Sequence, residues 1–544
     1  MNISWLQPVY TTLDITNKQD LLIWGAVALV SIFIIKSAYI IGFNYFEAHF
    51  IFRRRYSVSH RLMRAYMQAP YIFHLQRNTA ELLRNITQEI NVLTNNVITN
   101  LLKMTREVVM ALAILVFLFV MEPLITLLII SLSVIGAGSF ILVNKKKMKE
   151  YGREDQELRS LMIKALNQGL GGIKDARVLN REEEFIEKFR IEAYKSTHLR
   201  AYIRFIQQIP RPVIETTAVL GMLLVSALLV WQNRPMSAII PVLALFGIAT
   251  VRMMPSIQKI VSMYTALRYN IVAIDPIYDD LKELENYNTR LNEDREKKDK
   301  LAFENQIQIN NLSYHYPGSD EQALKGLSIT IGKGEAVGFV GSSGAGKTTI
   351  VDLILGLFEP DEGEICVDGT NIQDNLSAWQ RNVGYIPQTI YLADETLRSN
   401  VAFGLAEDKI DDEKVMGALK LAQLQALVDR LPQGLNTIVG ENGTRLSGGQ
   451  RQRLGIARAL YHDPKVLVMD EATSALDNIT ERQIISAIES LKENHTLIMI
   501  AHRLTTVKNC DRLYFMEEGR ILQAGNYYDL VDSNVQFREM ALEE

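Results

Sequence analysis

Cysteine is nearly absent from this chain. Cys366 and Cys510 are the only two in 544 residues, far apart in its second half. No disulfide framework and no CxxC metal pair is therefore available, and a reducing compartment fits. An excess of charge is missing too. The formal net charge is −4, so nucleic acid is not suggested as a bulk electrostatic partner. Proline is nearly missing from residues 46–105 and 145–205, two polar, helix-prone stretches that thereby lose their usual breakers. Long apolar runs are lacking in the second half, which reads as a soluble α/β protein. The chain is also too long for a single domain, and several cores are expected.

What is present is an uneven distribution of apolar residues. They make up 48% of the chain, and the first half concentrates them in long runs. Five segments reach bilayer-spanning length, at about 20–45, 106–121, 123–144, 212–232 and 236–262. Runs such as "VVMALAILVFLFV" are apolar all round, which favours membrane helices over buried helices of a large soluble core. "RRR" at 53–55 and "KKK" at 145–147 follow the first and third spans and are predicted to be cytoplasmic. The turns "MEP" and "WQNRPM" then lie outside, and residues 46–105 and 145–205 extend the membrane helices into the cytoplasm. Residues 1–19 would also lie outside, with no preceding span to export them. Either they cross unaided or a preceding span is missing.

Residues 281–300, "LKELENYNTRLNEDREKKDK", are mostly charged without apolar periodicity and are expected to be a solvated connector. They separate a membrane domain over 1–280 from a nucleotide domain over 301–544. In the latter, "GSSGAGKTT" (341–349) fits G-x-x-x-x-G-K-[ST] between the strand-like "EAVGFV" and the helix-like "TTIVDLILGLF". Gly341, Ser342, Ser343, Gly344, Ala345 and Gly346 form the loop whose backbone N–H groups converge on phosphate oxygens. Lys347 is expected at the β- and γ-phosphates of ATP, Thr348 at Mg²⁺, and Thr349 beside them. "VLVMDE" (466–471) presents Asp470 to the metal and Glu471 to the attacking water, "LSGGQRQR" opens a helix with an anion-binding layout, and "AHR" puts His502 at a strand end.

Together these motifs resemble an ABC-type ATPase domain over about 310–540. That resemblance implies an α/β P-loop fold in which Tyr316 stacks on adenine and Gln388 reaches the metal and the γ-phosphate. It also implies that Leu446, Ser447, Gly448, Gly449 and Gln450 cap ATP held by the opposite subunit, with Asp477 signalling across the dimer. Catalysis would fall to Glu471, His502 and Gln388. One ATPase domain holds half of each composite site, so a homodimer or a partner half-transporter is implied. Membrane helices followed by an ATPase resemble the exporter branch, as do "VGENGTRLSGGQ" and "TLRSNVAFG". Exporters normally carry six spans, so the first would be absent here. Turns near 71–78 and 171–183 are expected to be coupling helices.

Ionisable residues at membrane depth are expensive and usually face a cavity. Lys36, Arg211, Arg252 and Lys259 are the basic candidates. Arg211 and Lys259 lie near cytoplasmic ends, where snorkelling is an alternative, and Arg211 has Glu215 one turn on as a partner. Arg252 and Lys259 share a helix face, with Pro255 between them as the place for a kink. "IPRPVIE…VRMMPSIQK" resembles bacterial flippases of lipid-linked oligosaccharides, which implies a basic cavity for the diphosphate of a polyprenyl-linked glycan. The chain is thus expected to be an ATP-driven exporter in a bacterial inner membrane. A lipid A-like lipid, a drug or a peptide is the alternative cargo, and a non-transporting ATPase acting on ribosomes or DNA is disfavoured by the spans.

Overall fold

The computed structural model describes residues 18–232, 234–295, 299–470, 491–492, 494–501 and 503–543. They divide into two units, one formed by residues up to 69 with 74–286, the other by 70–73 with the chain from 287 onward.

The first unit is helical. Its long elements are α1 (Lys18–Gln68), α2 (Thr99–Met121), α3 (Pro123–Gly171), α4 (Glu182–Gln208), α5 (Pro210–Trp231), α6 (Met236–Asn270) and α7 (Ile274–Arg295). Among the described residues five helical runs are long and apolar enough to cross a membrane, and they cover the five segments expected from the sequence. Several far exceed a bilayer. At about 1.5 Å per residue the 51 residues of α1 span about 77 Å, against about 30 Å of hydrocarbon. The proline-poor stretches therefore fold as helical continuations of the spans. Ahead of α2 the run from Thr79 contains two π-helical segments, Asn85–Glu89 and Leu93–Ile98.

Glu122 leaves the helical region (φ −144°, ψ 84°), and Pro123 starts α3 as a first-turn proline. Arg234 in the second short turn places Nη1 2.7 Å from Glu122 Oε1, so the two predicted external turns are tied together. Between the spans Leu118, Ile125, Val225, Leu229, Phe246 and Met253 pack into one core. Helix α6 continues through Pro241 and Pro255. Short helices at Tyr71–Gln76 and Ile173–Val178 occupy the two turns expected to couple.

The expected connector differs from its sequence reading. Helix α7 runs through most of 281–300 to Arg295. Its Ile277 and Leu284, two turns apart on one face, are 4% and 1% exposed. That apolar stripe holds the helix to its unit, and a window starting at 281 takes in only Leu284 of it, among charged neighbours.

The described residues of the second unit form two sheets. The larger runs β10 (Arg520–Gly525), β9 (Arg512–Glu517), β3 (Ala336–Gly341), β8 (Thr496–Ile500), β7 (Val466–Asp470) and β6 (Val383–Ile386) in that spatial order. Its pairings from β9 through β3, β8 and β7 to β6 are parallel, and "VLVMD" and "TLIMI" are buried throughout, as continuous apolar strands of a covered parallel sheet should be. The smaller sheet is antiparallel, β2 (Gln322–Gly332), β1 (Gln306–His315), β4 (Glu362–Val367) and β5 (Thr370–Asn371).

Candidate functional site

The parallel strands end together on one edge, which is where open α/β sheets place their ligands. Strand β3 finishes at Gly341, and helix α8 (Lys347–Ile354) starts immediately after the glycine-rich loop. Gly341 has φ +153°, and a Cβ there would sit 2.0 Å from the Met516 carbonyl oxygen. Gly346 caps α8 at φ +96°, with Leu324 Cδ2 only 2.7 Å from where a Cβ would go. Only glycine fits these two positions, so the loop backbone is left bare for a phosphate. Ser342, Ser343, Gly344 and Thr348 are exposed along it, while Ala345 and Thr349 are buried beneath. The buried Lys347 ammonium donates to the Gly341 and Ser342 carbonyls, both at 2.8 Å, and so stays inside the cradle.

Asp470 is buried at the end of β7, in register with Ile500 of β8. Gln388 is exposed just beyond β6. The Thr348 hydroxyl, the Asp470 carboxylate and the Gln388 amide are all hard oxygen donors, which suits Mg²⁺, and the cradle with its lysine suits a triphosphate. Sequence reasoning misses one neighbour, Asp352. Burial and the negative charge of Asp470 push its carboxyl up to about 6. The signal was present, since Asp352 lies four residues after Thr348 on the same face of α8.

Tyr316 is half-buried, and its hydroxyl lies 3.0 Å from Thr349 Oγ1. Its ring meets Tyr314 and Phe358 edge-on at 5.3 and 5.7 Å. Ser447 caps α9 (Gly448–Leu460) through a reciprocal box with Gln450, at 2.9 and 3.3 Å. Ser447 and Gly448 are exposed at this helix start, while Gly449 is buried and Leu446 and Gln450 are intermediate. The exporter-like "TLRSNVAFG" anchors the same helix. Arg458 of α9 donates to the Asn400 carbonyl at 2.9 Å and lies over the Phe403 ring at 4.4 Å. Glu471, Asp477 and His502 lie outside the described residues.

The four basic candidates of the membrane unit do not form one cluster. Arg211 and Lys259 line the same cavity of about 690 Å³, with Gln207, Gln208 and Gln258 in its wall. Arg211 also pairs with Glu215 at 3.0 Å, the helix-turn partner available in the sequence. Lys36 stands apart because every residue from Leu22 to Gly42 of α1 is exposed; its ammonium lies over Phe33, 5.2 Å from the ring centroid. Arg252 is exposed, without an ion-pair partner among the described residues, and is not part of that cavity's wall.

Sequence reasoning also misses Glu107, which is 5% exposed on α2. Its Oε2 accepts from Ser256 Oγ at 2.8 Å, and its Oε1 lies 3.3 Å from Lys259 Nζ and 3.2 Å from Arg106 Nη2. The partner of Lys259 is thus an acid on another helix, and the residue after Pro255 supplies the hydroxyl. A lone carboxylate near the start of an apolar run was the available signal.

Residues 324–474 match the ABC transporter family and residues 1–266 match the ABC transporter transmembrane region. An ATP-dependent lipid A-core flippase of Ralstonia nicotianae is 31% identical over 517 residues, which is 93% of this chain and 84% of that protein. A protein of the same description from Haemophilus influenzae (strain 86-028NP) is 30% identical, over 88% of this chain and 81% of its own length. Among solved structures, a bacterial Atm1-family ABC exporter with ATP bound superposes with a TM-score of 0.77 at 24% identity, covering 99% of this chain and 93% of its own.

Proposed function

The chain belongs to the ABC exporter family, membrane region first and ATPase second, and from that premise we propose that its cargo is a lipid with a phosphorylated headgroup. ATP hydrolysis coupled to transport is the activity of such a chain. Bound Mg²⁺–ATP supplies the phosphoanhydride bond and the charge that polarises it. Lys347 and the bare backbone of the loop hold the phosphates, Thr348 and Asp470 orient the metal, and the buried strand ends exclude water from one side. Ser447 at the exposed start of α9 offers its hydroxyl and helix N–H groups to a nucleotide on a second subunit, here read as another copy of this chain. The bacterial inner membrane is the proposed location.

The observation that supports the cargo class is the cavity shared by Arg211 and Lys259, two cations beside an amide-rich wall at the edge of the spans. Guanidinium and ammonium groups suit a phosphate far better than a neutral drug. The names carried by the relatives favour a lipid A-like cargo over the polyprenyl-diphosphate oligosaccharide expected from the sequence. Both cargoes join phosphates to long apolar tails.

ATPase activity in proteoliposomes, titrated with bis-phosphorylated lipid A, its dephosphorylated form and a polyprenyl-diphosphate oligosaccharide, tests this. Lipid A is expected to stimulate hydrolysis, with the stimulation lost on dephosphorylation and weakened by Arg211→Ala. Stronger stimulation by the oligosaccharide would exchange the cargo within the same class. Equal stimulation by the dephosphorylated lipid would sink the class itself.

A further inference from the structure

A second cavity, of about 1010 Å³, lies next to the one that holds Arg211 and Lys259, and the two share Phe205, Gln207 and Gln208 as a common wall. Both volumes are in the range of pockets that enclose ligands. The larger one is lined by Arg159, Arg200 and Arg204, with the amides of Asn96, Asn100 and Asn270 around them. Asp155 is its only acidic wall residue. That carboxylate is 3% exposed and already engaged, by Arg200 Nε at 2.8 Å, Arg159 Nε at 3.2 Å and Ser196 Oγ at 3.1 Å. Glu89, fully buried, takes a further share of Arg159 at 3.7 Å. Arg204 is exposed and has no ion-pair partner among the described residues. The cavity therefore keeps uncompensated positive charge on a wall whose remaining polar groups are neutral amides and the hydroxyls of Thr197 and Tyr269.

The helix that carries these arginines aligns them. At about 100° per residue, Arg200, Arg204 and Gln207 of α4 fall within a sector of about 60°, and Arg211 follows at the start of α5, just beyond the break at Ile209. They form a polar track about 16 Å long, from the extension that charge topology places in the cytoplasm to the edge of the apolar run of α5. A solvated helix face would scatter its cations and mix both signs; this one faces a cavity with a single, already paired acid.

We propose that Arg200 and Arg204, with the surrounding amides, form a first station for the phosphate of the cargo headgroup, ahead of the cavity bounded by Arg211 and Lys259. The proposal rests on the phosphorylated-lipid reading given above. Guanidinium forks match phosphate oxygens in pairs, and the Asp155 clamp holds Arg200 in place beside the exposed charge of Arg204. The headgroup is received on this track while its tails remain in the membrane, and it then moves on to the neighbouring cavity bounded by Arg211 and Lys259.

The test is equilibrium binding of fluorescently labelled bis-phosphorylated lipid A to the nucleotide-free full chain in phosphatidylcholine nanodiscs. Arg204→Ala is expected to weaken binding about ten-fold, as for a lost charge-assisted hydrogen bond, with Arg204→Lys recovering part of it. Inorganic pyrophosphate is expected to compete poorly, because the headgroup arrives with its membrane. If Arg204→Ala stays within about two-fold of wild type while Arg211→Ala weakens binding, this station is refuted and the cargo reading stands. Should a dephosphorylated probe bind wild type as tightly, the cargo reading itself falls. Displacement by pyrophosphate from wild type but not from Arg204→Ala would assign the site to soluble phosphates and overturn its lipid role.

Discussion

Replacing Asp352 by Asn isolates the electrostatics of the nucleotide edge. The Asp352 carboxyl is raised from an ordinary 3.8 to about 6, first by burial and then by the charge of Asp470. Between those two values the folded chain holds a proton that the unfolded chain has released. Stability attributable to this group is therefore present at low pH and is lost as pH rises to 6. The full shift corresponds to about 3 kcal/mol. Asp352 is only half-buried, and solvent screening reduces the figure to about 1.5 kcal/mol. Asp352→Asn removes the penalty, so the melting temperature of the ATPase transition is expected to rise by about 3–6 °C near pH 7.5. Near pH 5, midway through that window, about half of the gain should remain, because the unfolded carboxyl is already ionised while the native one largely keeps its proton. Thermal unfolding of the full chain in EDTA without nucleotide, at both pH values, reads this directly. Adding Mg²⁺ and ATP should shrink the difference, since a cation at Asp470 offsets the same field. Equal shifts at the two pH values, or a variant less stable than wild type near pH 7.5, would refute the reasoning.

Glu107→Ala strands Lys259 and Arg106, and because both are partly exposed the cost is expected to be about 1–3 kcal/mol, not the larger value of a sealed pair. Thermal unfolding of the double variant with Lys259→Ala should show a loss smaller than the sum of the single losses by at least about 0.5 kcal/mol; additivity would break the proposed pair. Lys347→Ala is expected to lower ATP turnover by about a hundred-fold or more, measured as phosphate release, with the fold intact by circular dichroism. Gly346→Ala forces a Cβ to within 2.8 Å of the Ala323 carbonyl oxygen at a left-handed φ, so loss of nucleotide binding in a fluorescent-ATP assay is expected. Unchanged affinity would mean that the loop is less constrained than its geometry implies.

Much of the fold is legible in the sequence because two periodicities are strong. The all-round apolar runs mark the spans, and continuous strands such as "VLVMD" mark the parallel sheet. The loop at 341–349 is legible because glycine at 341 and 346 answers local backbone geometry, which spacing records. The helix over the expected connector is hard to see because its buried anchors, Ile277 and Leu284, come ahead of most of the charged residues. Glu107 and Asp352 were missed for a common reason. Each matters through a neighbour far along the chain, Lys259 in one case and Asp470 in the other, and pairing across elements leaves no local pattern. The basic residues of the spans illustrate the converse. Lys36, Arg211, Arg252 and Lys259 look alike in sequence, yet only two of them border one cavity, since each helix's rotation decides what its cations face.

The two π-helical segments below α2 act on that rotation. Each widened turn accommodates one more residue than an α-turn, and that residue advances everything beyond it by about 100°. Together they work as a vernier between the two ends of one long rod. Deleting a single residue within Leu93–Ile98 would restore an α-turn and swing one end against the other. Glu89, on one side, and Glu107, on the other, would then no longer meet Arg159 and Lys259 together. The phase between the two ends of the rod is thus adjustable in steps of one residue, so a change of length there resets the geometry of sites several turns away without altering any residue in them.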